Sequence, residues 1–251
     1  MENENSPKQV KRGFVPTDSR DFGEKSLEKL RKSAEEVYFL VSRGYAVKNA
    51  TVFAGNHHML SERQRLAVAR AVSPKSSIMS RKQKELSDGD IKGETVFIDG
   101  FNLIITLETA FSGSPLFHCM DGTIRDLAGL RGSYRLIDKT YTAISAVAET
   151  LTALGIKKAV FYLDSPVSNS GRLGYKISEL MNNCPFETEI FIEGAVDSIL
   201  EKKSHVVTSD AIILDRCISW FNLTERVIKR HIGDYGYIDI INLKNGALQM
   251  P

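Results

Sequence analysis

The spacing of hydrophobic residues changes once along the chain, near residue 95. Before that point the spacing is helical. Leu27, Leu30, Ala34, Val37, Tyr38 and Val41 recur at steps of three and four, which predicts a helix over residues 24–42 that Gly44 ends. A shorter helix is expected over 47–54, stopping at Gly55. Ser61-Glu62-Arg63-Gln64 has the capping-box pattern and opens a third helix, through Leu66, Ala67, Ala69 and Arg70, that ends near Pro74. Residues 1–21 read as a flexible lead-in, with Arg12-Gly13-Phe14 able to dock back. Residues 73–92 are rich in Ser, Lys and Asp, lack apolar periodicity and contain the turn Ser87-Asp88-Gly89-Asp90, so they read as a linker.

After residue 95, short apolar runs alternate with helical patterns. Strands are predicted over 95–98, 158–163, 188–192, 205–208 and 237–243. Helices are predicted over 103–110, 134–154, 171–181, 196–202 and 223–231, and residues 116–130 look irregular. Alternating strands and helices imply right-handed crossovers and a parallel sheet covered on both faces. The expected fold class is therefore α/β, with an open, mostly parallel, five-stranded sheet preceded by a small all-α domain. Residues 1–92 form the helical domain and linker, and residues 93–251 the α/β domain.

Composition narrows the class. With 42% hydrophobic and 25% charged residues among 251, the chain is neither disordered nor fibrous. It has no apolar run long enough to span a bilayer, and its polar start lacks the apolar core of a secretory signal, so a cytoplasmic location without membrane contact is expected. Residues 1–93 carry 18 Lys+Arg against 12 Asp+Glu, and residues 94–251 carry 15 against 19, giving a basic front (+6) and an acidic back (−4). A basic part attracts polyanions, whereas an acidic one repels them unless cations intervene. Cys119, Cys184 and Cys217 are too few and too scattered for a disulfide framework or a zinc pair. His57-His58 is the one histidine pair, and adjacent residues do not share a helix face, so a zinc site is not expected.

Three predicted strands run into aspartate: Asp99, Asp164 and Asp210. Asp197 opens the helix between the third and fourth strands. Parallel strands share one carboxyl edge, where ligands of open α/β sheets bind. Carboxylates gathered there raise one another's pKa unless a cation sits among them, and Mg²⁺ or Mn²⁺ prefers such oxygen donors. Each aspartate has a simpler role open to it, since Asp197 and Asp210 could each cap the helix that follows. Ser165 to Arg172 precedes a helix, and its hydroxyls, free N–H groups and Arg172 could hold a phosphate at a helix N-terminus. Ser168, Asn169 and Ser170 are the candidate contacts, and an ordinary capped loop is the equal alternative. Arg125, Arg131 and Arg135 are candidate contacts to a nucleic-acid backbone, or solvated arginines. No G-x-S-x-G elbow or Walker loop is present. A helix-turn-helix over 50–71 is disfavoured, because 55–60 is longer than a tight turn.

Val96-Phe97-Ile98-Asp99-Gly100-Phe101-Asn102 resembles the opening D-G-[YF]-N motif of PIN-like nucleases of the NYN and YacP type. Val160 to Asp164, Glu193 to Glu201 and His205 to Asp210 resemble that group's later motifs, in the same order over roughly 120 residues. The whole chain, with Arg43-Gly44-Tyr45 and Ser61-Glu62-Arg63-Gln64-Arg65, also resembles a two-part archaeal and bacterial family of domains of unknown function. The resemblance implies a PIN-like fold and a divalent-metal-dependent ribonuclease. It makes Asp99, Asp197 and Asp210 metal-binding acids, Asn102 an orienting residue, Asp164 a supporting acid and Asp215 a further metal candidate. Two departures stand out. Val196 occupies a position where many relatives have an acid, and residues 111–133 are an insertion that could add Asp121 or Asp126 to the site or cover it. The expected function is a phosphodiesterase cleaving RNA with metal-activated water, using Mg²⁺ or Mn²⁺. The alternative is a non-catalytic RNA- or nucleotide-binding module. The sequence leaves a homo-oligomer open.

Overall fold

The computed structural model describes residues 10–129 and 132–241. Strands β1 (Thr95–Asp99), β4 (Lys158–Asp164), β5 (Glu187–Glu193) and β6 (Val206–Val207) form one parallel sheet in the order β5-β4-β1-β6. The chain moves outward from β1 to β5 and then returns to the other flank of β1. This places the topological switch point between β1 and β6.

The two-residue pleat divides the core between the sheet's faces. Val96 and Ile98 of β1, with Ala159, Phe161 and Leu163 of β4, face a core shared with helices α6 (Gly100–Phe111), α7 (Asp138–Leu154), α8 (Ser170–Met181) and α11 (Leu223–His231). Val160 and Tyr162 face the opposite way, toward α9 (Val196–Leu200), α10 (Ala211–Arg216) and the fully buried Trp220. Helix α6 is buried along almost its whole length, and it starts directly after Asp99. Gly100 makes that possible, because a Cβ there would stand 2.5 Å from a Leu163 methyl and 3.1 Å from the Tyr162 carbonyl.

Helices α1 (Asp18–Asp21), α2 (Glu24–Val41), α3 (Val47–His57), α4 (Glu62–Ala71) and α5 (Lys75–Lys84) precede the sheet. The expected capping box is present: Gln64 N–H donates to Ser61 Oγ (3.2 Å), and Ser61 N–H donates to Gln64 Oε1 (3.0 Å). Arg12 does dock back. Its Nε lies 2.7 Å from Glu108, which is buried on α6 and also accepts hydrogen bonds from Tyr134 (2.6 Å) and Thr140. Gly13 takes a left-handed φ of 75° where a Cβ would meet Thr109 at 2.9 Å.

The structure differs from expectation in four places. At the end of the lead-in, residues 18–21 form α1, with Asp18 and Asp21 buried and Asp18 paired with Arg63. The stretch read as a linker contains α5. This helix has no apolar stripe, but Arg81 on it is buried and supplies four hydrogen bonds, including 2.5 Å to Asp121 and 2.8 Å to Asp215. The stretch read as irregular contains a hairpin, β2 (Leu116–His118) and β3 (Ile124–Asp126). Phe117, Cys119, Met120 and Leu127 from it enter the core of the helical part, beside Leu30, Val37 and Val68. No fifth strand of the sheet is formed among the described residues. Among residues 237–241 only Ile238 makes a bridge, to Phe117, while residues 242–243 lie outside the described residues. The sheet edge beyond β6 is already taken, because Val206 N–H donates to the Ser219 carbonyl (3.0 Å) and Phe221 N–H to the Val206 carbonyl (2.8 Å).

Asp121 sits between two buried guanidiniums, Arg81 at 2.5 Å and Arg125 at 2.6 Å. Burial alone would raise its pKa, but Arg125, Thr123 and Arg81 outweigh burial and hold it at about 2. Removing one partner of a buried ion pair leaves the others uncompensated. Asp121→Ala should therefore lower unfolding free energy by roughly 3–5 kcal/mol in urea denaturation. A loss within the range of an ordinary surface substitution would contradict this role.

Candidate functional site

Four aspartates meet beyond the carboxyl edge of the sheet. Asp99 ends β1, Asp164 ends β4, Asp197 lies in the first turn of α9, and Asp210 follows β6. They line one cavity of about 200 Å³, together with Asn102, Asp126 and Arg70. A second cavity of about 480 Å³ adjoins it, sharing Arg70, Asn102, Asp126 and Asp210 and extending along Val72, Ser73, Pro74 and Ser77 of the helical part. The acidic crevice thus opens into a groove whose far wall comes from α4 and the start of α5.

The floor of the site is rigidly bonded. Asp99 is buried and accepts a 2.8 Å hydrogen bond from Thr208 Oγ1. The Asn102 side-chain oxygen accepts from both N–H (2.8 Å) and Oγ (3.0 Å) of Ser209, tying the start of α6 to the end of β6. Arg125 donates from below to the Ser209 carbonyl (2.8 Å) and to the Arg70 carbonyl (2.6 Å), so one guanidinium fixes the crevice and α4 together. Asp210 caps α10, its Oδ1 accepting from Ile212 N–H (2.8 Å) and Ile213 N–H (3.2 Å). Its other oxygen makes no hydrogen bond among the described residues. Asp197 is not a cap, since Ala195 holds that position.

Burial and mutual repulsion raise the pKa of three of the four aspartates. Asp99 is pushed up to about 7, first by burial and then by the charges of Asp210 and Asp164, against the hydrogen bond from Thr208. Asp164 is raised by burial and then by Asp197, and Asp197 by burial and then by Asp210 and Glu201. Oxygen donors whose ionisation is suppressed by burial and mutual repulsion form a set that a hard divalent cation would relieve.

Other candidates lie elsewhere. Asp215 is ion-paired with Arg81 and lines only the adjoining cavity. Ser168 and Asn169 are occupied internally: Ser168 Oγ accepts from Tyr134 N–H (3.1 Å), and Asn169 Nδ2 donates to the Tyr134 carbonyl (2.6 Å). Ser170 is buried as the first residue of α8. Arg135 and Arg172 are exposed, and their side chains have no partner among the described residues. Arg131 lies outside the described residues. Of the two aspartates in the insertion, Asp126 reaches the crevice, where it accepts hydrogen bonds from Thr106 (2.7 Å) and Ala128 N–H (2.7 Å). Val196 is buried against the sheet. Arg70, half-exposed over the crevice, donates from Nη1 to the Asp126 carbonyl and stands 3.7 Å from an oxygen of the Asp126 carboxylate, and it escaped sequence reasoning. On an amphipathic helix it has the pattern of any solvated arginine.

Residues 88–226 match the family described as a domain of unknown function, DUF5616, and residues 29–84 match the protein of unknown function family DUF434. The chain belongs to the DUF5616 family. It is similar to Uncharacterized protein MJ0935 of Methanocaldococcus jannaschii, with 37% identity over 185 residues, covering 74% of this chain and 88% of that one. No solved structure matches the chain. The DUF5616 match contains all four clustered aspartates, and the DUF434 match contains Arg70. No helix among the described residues is long and apolar enough to cross a membrane.

Between the ordinary aspartate value of about 3.9 and about 7, the folded protein keeps a proton on Asp99 that the unfolded chain has released. Stability therefore falls as pH rises through that window. Asp99→Asn, which still accepts from Thr208, should flatten this fall and raise Tm at pH 8 by roughly 2–4 °C in EDTA. Thermal denaturation at pH 5 and pH 8 checks this, and a lowered Tm at pH 8 would contradict the assigned repulsion.

Proposed function

We propose that the protein is a divalent-metal-dependent phosphodiesterase that cleaves RNA and that its α/β part is PIN-like. The observation that carries this reading is the meeting of Asp99, Asp164, Asp197 and Asp210 in one cavity that opens into a groove. The donor set is all oxygen, which suits Mg²⁺ or Mn²⁺. Asp99, Asp197 and Asp210 would hold the ion, with Asp164 in support. When bound, such an ion supplies an activated water and neutralises charge at a phosphodiester.

The chain's own residues provide the remainder. Thr208 orients the Asp99 carboxylate, and Asn102 holds the Ser209-Asp210 turn against α6. Asn102 Nδ2 has no partner among the described residues and is available to a phosphate oxygen. Arg70 brings a guanidinium from the helical part to the rim of the acidic crevice, where it faces the phosphate of a bound strand. The exposed Arg135 and Arg172 serve backbone contacts farther along. The phosphate role of Ser168, Asn169 and Ser170 is not carried forward, because their polar groups are bonded internally or buried. Asp215 is left out of the ion set because Arg81 neutralises it. The PIN-like reading rests on the motifs through which the sequence resembles PIN-like nucleases, and the acids of those motifs line one cavity. RNA is the substrate class that the resemblance implies.

A non-catalytic RNA- or nucleotide-binding module is the second reading. Val196 favours it, since this position contributes a buried apolar contact where many of the resembling nucleases have an acid.

Calorimetry with Mn²⁺ and cleavage of mixed single-stranded and structured RNA separate the two readings. Wild type should bind Mn²⁺ and cleave, and Asp99→Asn/Asp210→Asn should lose both. Arg70→Ala should keep Mn²⁺ binding and lose roughly 10²–10³-fold in cleavage rate, the scale of removing one charge-stabilising donor. Metal binding without cleavage by wild type would favour the binding module. No metal binding would sink the catalytic reading.

A further inference from the structure

A second group of metal-type donors lies in the helical part, far in chemistry from the aspartates. Glu36 on α2, His57 at the last position of α3 and His58 at its C-cap offer one ligand atom each, all within 4.8 Å of one another. His58 Nε2 is 2.9 Å from Glu36 Oε1. The two imidazole rings stand 4.7 Å apart, nearly perpendicular at 80°. The rule that adjacent residues face apart on a helix does not apply here, because the helix ends between these two. His58 has left helical geometry (φ −88°, ψ 6°) and turns its ring toward α2.

The turn that sets this arrangement is locked. His58 N–H donates to the Ala54 carbonyl (3.0 Å) and Met59 N–H to the Asn56 carbonyl (3.2 Å), while Leu60 N–H reaches back to Gly55 (2.8 Å). Met59 takes a left-handed φ of 50°, a conformation that favours glycine. The buried Leu60 anchors the exit. The imidazoles are therefore presented by a fixed backbone rather than a mobile loop. They sit at a helix C-terminus, where the helix dipole favours positive charge. Arg65 shares this end, donating to Asn56 Oδ1 (2.8 Å) and the Leu60 carbonyl (3.0 Å), so its charge is already engaged by acceptors.

We propose that Glu36, His57 and His58 form a binding site for a borderline-soft divalent ion of the Zn²⁺ class, with solvent as the fourth ligand. Two imidazoles and a carboxylate are donors for which Zn²⁺, Co²⁺ and Ni²⁺ compete well and Mg²⁺ competes poorly. The exposed edge at His57 leaves a coordination position to water. The ion would staple the end of α3 to α2, and so stabilise the helical part that forms the far wall of the groove. The site is independent of the proposed function of the aspartates. A plain Glu36–His58 hydrogen bond would give His57 no part, and this is the point of discrimination.

The test is titration of the untagged protein with Co²⁺, followed by the visible d–d bands of the four-coordinate ion, together with Tm in the presence and absence of Zn²⁺. Wild type should bind Co²⁺ with the intense d–d bands of a four-coordinate ion at this site, whereas any Co²⁺ in the all-oxygen crevice gives only the weak bands of higher coordination, and Zn²⁺ should raise Tm. His57→Ala changes an exposed side chain, so it should fold, and it should weaken Co²⁺ binding by more than about tenfold, the least expected even for loss of an outer-shell partner. Glu36→Gln should do the same. Asp99→Asn/Asp210→Asn should retain the Co²⁺ bands and the Zn²⁺ effect, which separates this site from the acidic crevice. Equal Co²⁺ binding by wild type and His57→Ala, or bands lost only in the aspartate variant, would overturn the proposal.

Discussion

In a parallel sheet every strand delivers its carboxyl end to the same edge, and this constraint organises the molecule. Here it carries Asp99, Asp164 and Asp210 to one crevice, and the short α9 adds Asp197. Four carboxylates at such an edge repel, and the burial of Asp99 sharpens the cost of its charge. Hydrogen bonds fix two of them, Thr208 on Asp99 and the α10 amides on Asp210, while Asn102 holds the Ser209 turn beside them. Burial and mutual repulsion raise the pKa of Asp99, Asp164 and Asp197, so holding them ionised side by side costs stability.

The helical part completes that crevice rather than hanging from it. The β2–β3 hairpin drives Phe117, Met120 and Leu127 into the helical core, and Asp121 joins Arg81 of α5 to Arg125 of the hairpin. Arg125 then reaches both Ser209 and Arg70. A continuous chain of buried charge-assisted bonds thus runs from the helices to the acidic edge, and it sets where the Arg70 guanidinium stands relative to the aspartates. The two family matches divide the chain between residues 84 and 88, yet the crevice draws residues from both sides of that division.

Periodicity made the four sheet strands and most helices legible, because β1, β4 and the longer helices bury faces whose spacing is written in apolar residues, and the half-exposed edge strand β5 still alternates. It failed where burial is polar. Helix α5 is held by the buried Arg81, which reads in sequence as a surface charge, and the β2–β3 hairpin is too short to show alternation. The fifth strand was expected from the apolar run at 237–243, but Ile240 and Ile241 serve the helical core instead. The aspartate cluster was visible because strand ends share an edge. Asp126 was legible only as one of two aspartates that the insertion could add, and Arg70 and the Glu36–His57–His58 group were not legible, since each depends on contacts between parts distant in sequence or on where a helix stops.

The central claim is that the acidic edge is a divalent-cation site. Anomalous difference density from crystals grown with Mn²⁺ tests it most directly. The account predicts a peak coordinated by oxygens of Asp99, Asp197 and Asp210. Data that show these carboxylates ordered and no peak among them, or Mn²⁺ bound only elsewhere, would contradict it.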